Sequence, residues 1–144
     1  MKKILLLVFL IVAVQNCCSQ ADDRWKYIIS DDGTDIYIDV QTIQKTISVI
    51  TYWRCDIYNT PQTETKENDE PFSFDQLRVQ ESYDYEKKQT KYTTIVFYNG
   101  NSAVYRYENQ APKWHSVVPG TTQEAIANYA VIRAIFQESK EKNR

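Results

Sequence analysis

Apolar side chains recur at every second position along most of this chain, and only near its C-terminus does the spacing become helical. Trp25, Tyr27 and Ile29 alternate with other residues, as do Ile36, Ile38 and Val40 after Asp31-Asp32-Gly33. A period of two puts such residues on one face of a pleated strand, and Asp-Asp-Gly is turn chemistry. Residues 24–40 are therefore expected to form a hairpin. Ile47, Val49, Thr51, Trp53 and Cys55 predict a third strand over residues 46–55, with these side chains on one face. Leu77, Val79, Glu81, Tyr83 and Tyr85 form the next odd-numbered face, and Arg78, Gln80, Ser82 and Asp84 its polar partner. Glu86-Lys87-Lys88-Gln89 reads as a turn. Tyr92 to Tyr98 is a further strand, closed by the hairpin dipeptide Asn99-Gly100, and Ala103 to Tyr107 returns. The last three strands read as a meander.

Two segments break this rhythm. Asn59 to Pro71 has no apolar side chain other than its prolines, and carries Glu64, Glu67, Asp69 and Glu70 against Lys66 alone. It is expected to be an exposed loop, longer than most connections. After Pro119-Gly120, Thr121-Thr122-Gln123-Glu124 fits a capping box. Ala125, Tyr129, Ile132 and Phe136 then follow at helical spacing, opposite Asn128, Arg133 and Gln137. A helix over about residues 122–138 is expected, its apolar stripe seated on a sheet.

The N-terminus adds a destination. Lys2-Lys3, then the uncharged run Ile4 to Val14, then Gln15-Asn16-Cys17-Cys18-Ser19 has the layout of a secretory signal peptide. The apolar run is shorter than the roughly 20 residues of a membrane-spanning helix. Residues 1–19 are expected to be removed, leaving 20–144 as one exported domain of 125 residues. Acylation at Cys17 or Cys18 is the alternative, and would anchor the domain to a membrane. Without Lys2 and Lys3 there are 15 basic and 19 acidic residues, a formal charge of −4. Such a balance gives no electrostatic reason to bind nucleic acid. Cys55 would be the one cysteine left, read as a buried thiol inside a strand.

Candidate chemistry is sparse. His115 is the only histidine, and no Gly-x-Ser-x-Gly elbow is present, so a Ser-His-Asp system has no support. One His and one mature Cys give no basis for a metal cluster, and no cofactor motif occurs. Asp31-Asp32-Gly33-Thr34-Asp35 reads as a hairpin turn rather than a calcium loop. The chain is read as non-enzymatic. Its candidate partner-binding surface is tyrosine-rich: Tyr92, Tyr98, Tyr105 and Tyr107, with Lys87 and Lys88 as a small basic patch. Tyrosine supplies large contact area with a polar tip, though it also covers sheets in ordinary folds.

The order of landmarks resembles a known family. Trp25 opens the first strand and Tyr37-Ile38-Asp39 closes the second, followed by Ile43 before a strand. Ser82-Tyr83-Asp84 precedes the turn at Lys87-Lys88, and Tyr98 ends the next strand. Trp114-His115-Ser116-Val117-Val118-Pro119-Gly120 leads into the helix. Over about Arg24 to Ala134 this resembles the surface-adhesin protein E family of exported bacterial domains. The resemblance implies an α+β fold, a single antiparallel sheet of about six strands with the C-terminal helix packed on one face. It implies a role in binding host extracellular proteins, with a homodimer as one form; a periplasmic or lipid-anchored accessory protein of the cell envelope is the alternative. The family pattern also places one cysteine at the position of Tyr85 and another near Val131. This chain lacks both, and with them a staple worth about 3–4 kcal/mol. Packing of Tyr85 under Tyr129 and Ile132 is expected to replace it.

Overall fold

The structure is a computed structural model that describes residues 23–143. The proposed signal peptide, the cut after Ser19 and the acylation sites Cys17 and Cys18 lie outside the described residues. Among the described residues, seven strands and one helix follow in order: β1 (Trp25–Asp31), β2 (Thr34–Lys45), β3 (Val49–Thr65), β4 (Pro71–Asp84), β5 (Gln89–Asn99), β6 (Ser102–Glu108), β7 (His115–Ser116) and α1 (Thr122–Lys142). The first six pair in sequence order as one antiparallel meander, and the short β7 extends the β5 edge beside β6. The architecture is the α+β arrangement expected.

Turn chemistry sets the register. Asp32 and Gly33 both have positive φ, 43° and 75°, which suits a two-residue hairpin turn joining Asp31 to Thr34. At the β4–β5 turn the buried Asp84 carboxylate accepts from the backbone amides of Glu86 and Lys87, each at 3.1 Å. That ties down a turn in which Lys88 takes a φ of 52°.

Cross-strand pairing assigns the faces. Ile38, Arg54, Val79, Ile95 and Tyr107 are successive partners across the sheet, as are Ile36, Asp56, Leu77, Phe97 and Tyr105. Directly opposed residues share a face. This is the helix side: α1 covers its β1–β3 half and closes a core of Ile36, Ile38, Val40, Ile50, Tyr52 and Tyr83 against Ile126, Ala127, Ala130 and Ala134. Burying an aliphatic side chain of this size is worth about 1.5–3 kcal/mol. Three alanines on the buried stripe let the helix backbone approach closely.

Several expectations are corrected here. The stripe Ala125, Ile132, Phe136 points away from the sheet: Ala125 is exposed, and Ile132 and Phe136 are 52% and 59% exposed. Ile132 therefore does not pack on Tyr85, whereas Tyr85, Tyr129 and Val131 do lie partly buried against the core. Ile47 is 91% exposed, and the core face of β3 is the even one, Ile50 and Tyr52. A register shift between Tyr27 and Ile29 separates Ile29 from the face of Trp25 and Tyr27. The expected loop at 59–71 is instead the arm of a long hairpin. β3 runs on to Thr65 and pairs with Pro71–Phe74 after an irregularity between Ile57 and Gln62. Backbone hydrogen bonding forms that arm without any apolar signal.

The helix begins as its sequence dictates. Thr121 Oγ1 accepts from the Glu124 amide at 3.4 Å, and the Glu124 carboxylate accepts from the Gly120 amide at 2.8 Å. Helix and sheet are also joined by Lys45–Glu138 at 2.8 Å and by Gln137 Nε2 donating to the Val40 carbonyl at 2.8 Å. Thr121→Ala should lower stability by about 1 kcal/mol, visible as a melting temperature lower by about 4 °C in a calorimetric scan.

Candidate functional site

The uncovered face of the sheet carries two continuous rows. Trp25, Asp39, Trp53, Gln80, Thr94 and Glu108 are successive partners from β1 to β6. Tyr27, Tyr37, Cys55, Arg78, Val96 and Arg106 form the next row. No helix lies on this side among the described residues, and its centre is a shallow cavity of about 260 Å³. Trp25, Trp53, Tyr98 and the arginines Arg24, Arg78 and Arg106 line it.

Arg78 is the centrepiece. Its guanidinium lies 4.5 Å from the Tyr98 ring centroid and 5.5 Å from that of Trp25. Such stacking fixes the plane of a cation whose NH groups otherwise sample many directions. Gln76, with its amide oxygen turned inward, accepts from Arg78 Nε and Nη2 at 2.8 and 3.1 Å. At one side Arg24 grips the buried Asp39 through two nitrogens, at 2.7 and 2.6 Å. At the other, Arg106 reaches Glu108 at 2.5 Å. Flat aromatic walls with pre-positioned guanidinium groups form the anatomy of a recognition surface, where aromatics and Arg carry most contact energy. Cys55 is buried beneath this face, as expected for a strand thiol.

The helix side holds a second concavity outside the β1–β3 half that α1 covers. Phe72, Phe74, Phe97 and Tyr105 form a chain of ring contacts at centroid separations of 4.9–5.9 Å. The β3–β4 arm rises over them and leaves a groove of about 280 Å³.

Under the start of the helix lies a largely buried charged cluster. Arg54 Nε is 2.9 Å from Asp56 Oδ1, close enough to pair but too poorly aligned for a hydrogen bond. Arg54 Nη1 contacts Glu81 at 3.3 Å and donates to Gln123 Oε1 at 3.1 Å. Glu81 also accepts from Gln123 Nε2 and from the Thr90 hydroxyl. Burial pushes the Asp56 carboxyl above its ordinary value, with Arg54 opposing. Burial also works against the charge on Arg54, but Asp56 and Glu81 together hold its pKa above the usual value. Burial, reinforced by Glu81, raises the Tyr52 hydroxyl well above its normal range. The cluster ties together β3, β4, β5 and the first turn of α1.

The residues expected to make one surface are distributed over several. Tyr98 lies in the open-face cavity, whereas Tyr105 and Tyr107 line the groove on the helix side. Tyr92 is exposed near the start of β5. Lys87 and Lys88 are exposed on the turn before β5, at the opposite end of that strand from Tyr98. Lys87 reaches Asp84 only at 3.8 Å. His115 is exposed on β7, beside Trp114, whose ring carries Lys91 at 4.6 Å. Trp25, Trp53 and Arg78, the main walls of the cavity, carry no local sequence signal that marks them as site residues. Their shared face follows only once the register of four strands is known. Among the described residues no group of three or more His, Cys, Asp or Glu side chains is placed to hold a metal ion. No helix among them is long and apolar enough to cross a membrane.

A single-layer sheet, covered by one helix on one side and presenting aromatic and arginine side chains on the other, is a binding module in form. The family model for surface-adhesin protein E matches residues 25–130, and the chain belongs to that family. A crystal structure of protein E from non-typeable Haemophilus influenzae superposes with a TM-score of 0.57 at 13% identity, over 83% of this chain and 82% of that one. A second structure of Haemophilus influenzae protein E gives 0.54 at 13% identity, over 77% and 86%. At this identity the likeness is one of fold. No curated protein sequence matches the chain.

Proposed function

We propose that this domain is an exported, non-enzymatic adhesin that binds an extracellular host protein through the open face of its sheet. The observation that carries the reading is the Arg78 guanidinium set against the rings of Tyr98 and Trp25, in a cavity that α1 leaves uncovered. Family membership supports the adhesive role. Arg and large aromatics in a preset concavity match the chemistry of binding hot spots.

The test is to measure binding of residues 20–144 to immobilised extracellular-matrix proteins by interferometry. Micromolar binding to at least one is expected. Trp53→Ala and Tyr98→Ala should each weaken it about ten-fold, the effect of a modest hot spot. Binding equal in parent and variants, or none at all, would overturn the proposal. Protease treatment of intact cells separates surface display from a periplasmic accessory role, the envelope reading suggested by Cys17 and Cys18. Mass spectrometry of the mature N-terminus distinguishes a cut after Ser19 from acylation.

A further inference from the structure

We propose a second binding site, separate from the open face: the outer edge of β6 accepts an extended peptide whose alternate apolar side chains enter the groove beside it and whose basic ends meet its acidic rim. Three observations converge. First, β6 is the terminal strand of the meander, and among the described residues nothing pairs with its outer side. The Asn109 amide donates to the Thr93 carbonyl at 2.8 Å, and Tyr107 opposes Ile95 in the same register. Main-chain groups alternate in direction along a strand. Those of Tyr107 therefore point to β5, while those of Arg106 and Glu108 point out of the sheet, where an added strand would bond to them.

Second, the helix-side surface next to that edge is concave and apolar. Phe72, Ile95, Phe97, Tyr105 and Tyr107 floor a groove of about 280 Å³ that α1 does not reach. On an added strand, every second side chain would face this floor beside Tyr105 and Tyr107. Third, the wall formed by the β3–β4 arm is acidic. Glu64 and Glu67 border the groove, Asp69 and Glu70 continue the exposed tip, and the single Lys66 is paired with Glu70 at 3.0 Å. A basic flank on the peptide complements that charge, and a second acidic chain such as another copy of this domain, with its own acidic arm, does not. The inference does not depend on the partner being a host protein.

The probe is a fluorescein-labelled synthetic peptide with Phe, Val and Phe at alternate positions, Thr between them and lysines at both ends. Its control has glutamates at both ends. Fluorescence anisotropy with the whole mature domain should show saturable binding of the lysine peptide and about ten-fold weaker binding of the control. Backbone amide shifts should concentrate at 102–108 and 64–67. The double variant Glu64→Lys with Glu67→Lys, altered only at exposed positions, should weaken binding about ten-fold. Arg106→Pro removes an outward N–H that β5 does not use, so it should abolish strand addition while the far-UV spectrum stays unchanged. Absence of saturable binding overturns the proposal, as do shifts centred on Arg78, equal affinity in both variants, or β6 pairing seen as concentration-dependent dimerisation by sedimentation. The glutamate-ended control and the Glu64→Lys, Glu67→Lys variant leave every residue of the open-face cavity untouched, so on those two readouts the proposals fail independently.

Discussion

Replacing Arg54 with Met should lower folding stability by about 3–5 kcal/mol in urea denaturation at neutral pH. The reason is the company Arg54 keeps. Asp56 and Glu81 face it from β3 and β4, with side-chain exposures of 9% and 4%, and Arg54 itself retains only 18%. Removing the cation strands two carboxylates away from water and from each other's counter-charge. Asp56→Asn is the informative contrast. It leaves one cation with one anion, so its cost should fall well below that of the Arg54 variant. The pH response has a defined sign. The Asp56 carboxyl already sits above its ordinary 3.8 through burial, and loss of Arg54 raises it further. A group raised on folding binds its proton first in the folded state, so its penalty is full above the folded pKa and vanishes below the unfolded one. The stability gap between the Arg54→Met variant and the parent should therefore narrow as pH falls from neutral toward 4. A gap that stays constant over that interval would show that the carboxylates are not responsible.

Ile126→Asp should be the other severe change. Ile126 is 1% exposed between α1 and the sheet, and a carboxylate there finds no partner, at a cost of several kcal/mol or loss of folding. Ile132→Asp, on the same helix, should change stability by no more than about 0.5 kcal/mol because its side chain faces water. Thermal denaturation of the two variants side by side reads out the rotation of the helix directly. If the two effects are reversed, the stripe suggested by the large apolar residues is the buried one after all.

That pair of variants also shows why some of the fold was legible in the sequence and some was not. Strand positions, the Asp32-Gly33 and Asn99-Gly100 turns and the Thr121–Glu124 cap are local, and local chemistry decides them. The buried side of α1 is not local. Ala127, Ala130 and Ala134 pack there because the sheet demands close approach, yet alanine barely registers as apolar beside Ile132, Ile135 and Phe136. In β3 both faces carry apolar residues: Ile50 and Tyr52 on one, Trp53 and Cys55 on the other. Alternation gave the correct phase but no means of telling the core from the open side. The cavity has the same history. Trp25, Trp53, Arg78 and Tyr98 come from four strands, and only pairing brings them together. The hairpin arm at 59–65 leaves no trace in hydropathy because backbone pairing and polar side-chain contacts hold it.

The meander has a consequence for how the chain matures. Every strand of β1–β6 bonds to its neighbour in sequence, so the sheet can zip up progressively as the chain emerges, with little loop-closure penalty at each step. Its shield comes last. Ile36, Ile38, Ile50 and Tyr52 stay wet until residues 126–134 arrive from the far end of the chain. Without residues 126–134 the sheet would present Ile36, Ile38, Ile50 and Tyr52 to water, so loss of the helix should turn the domain into an aggregation-prone open platform.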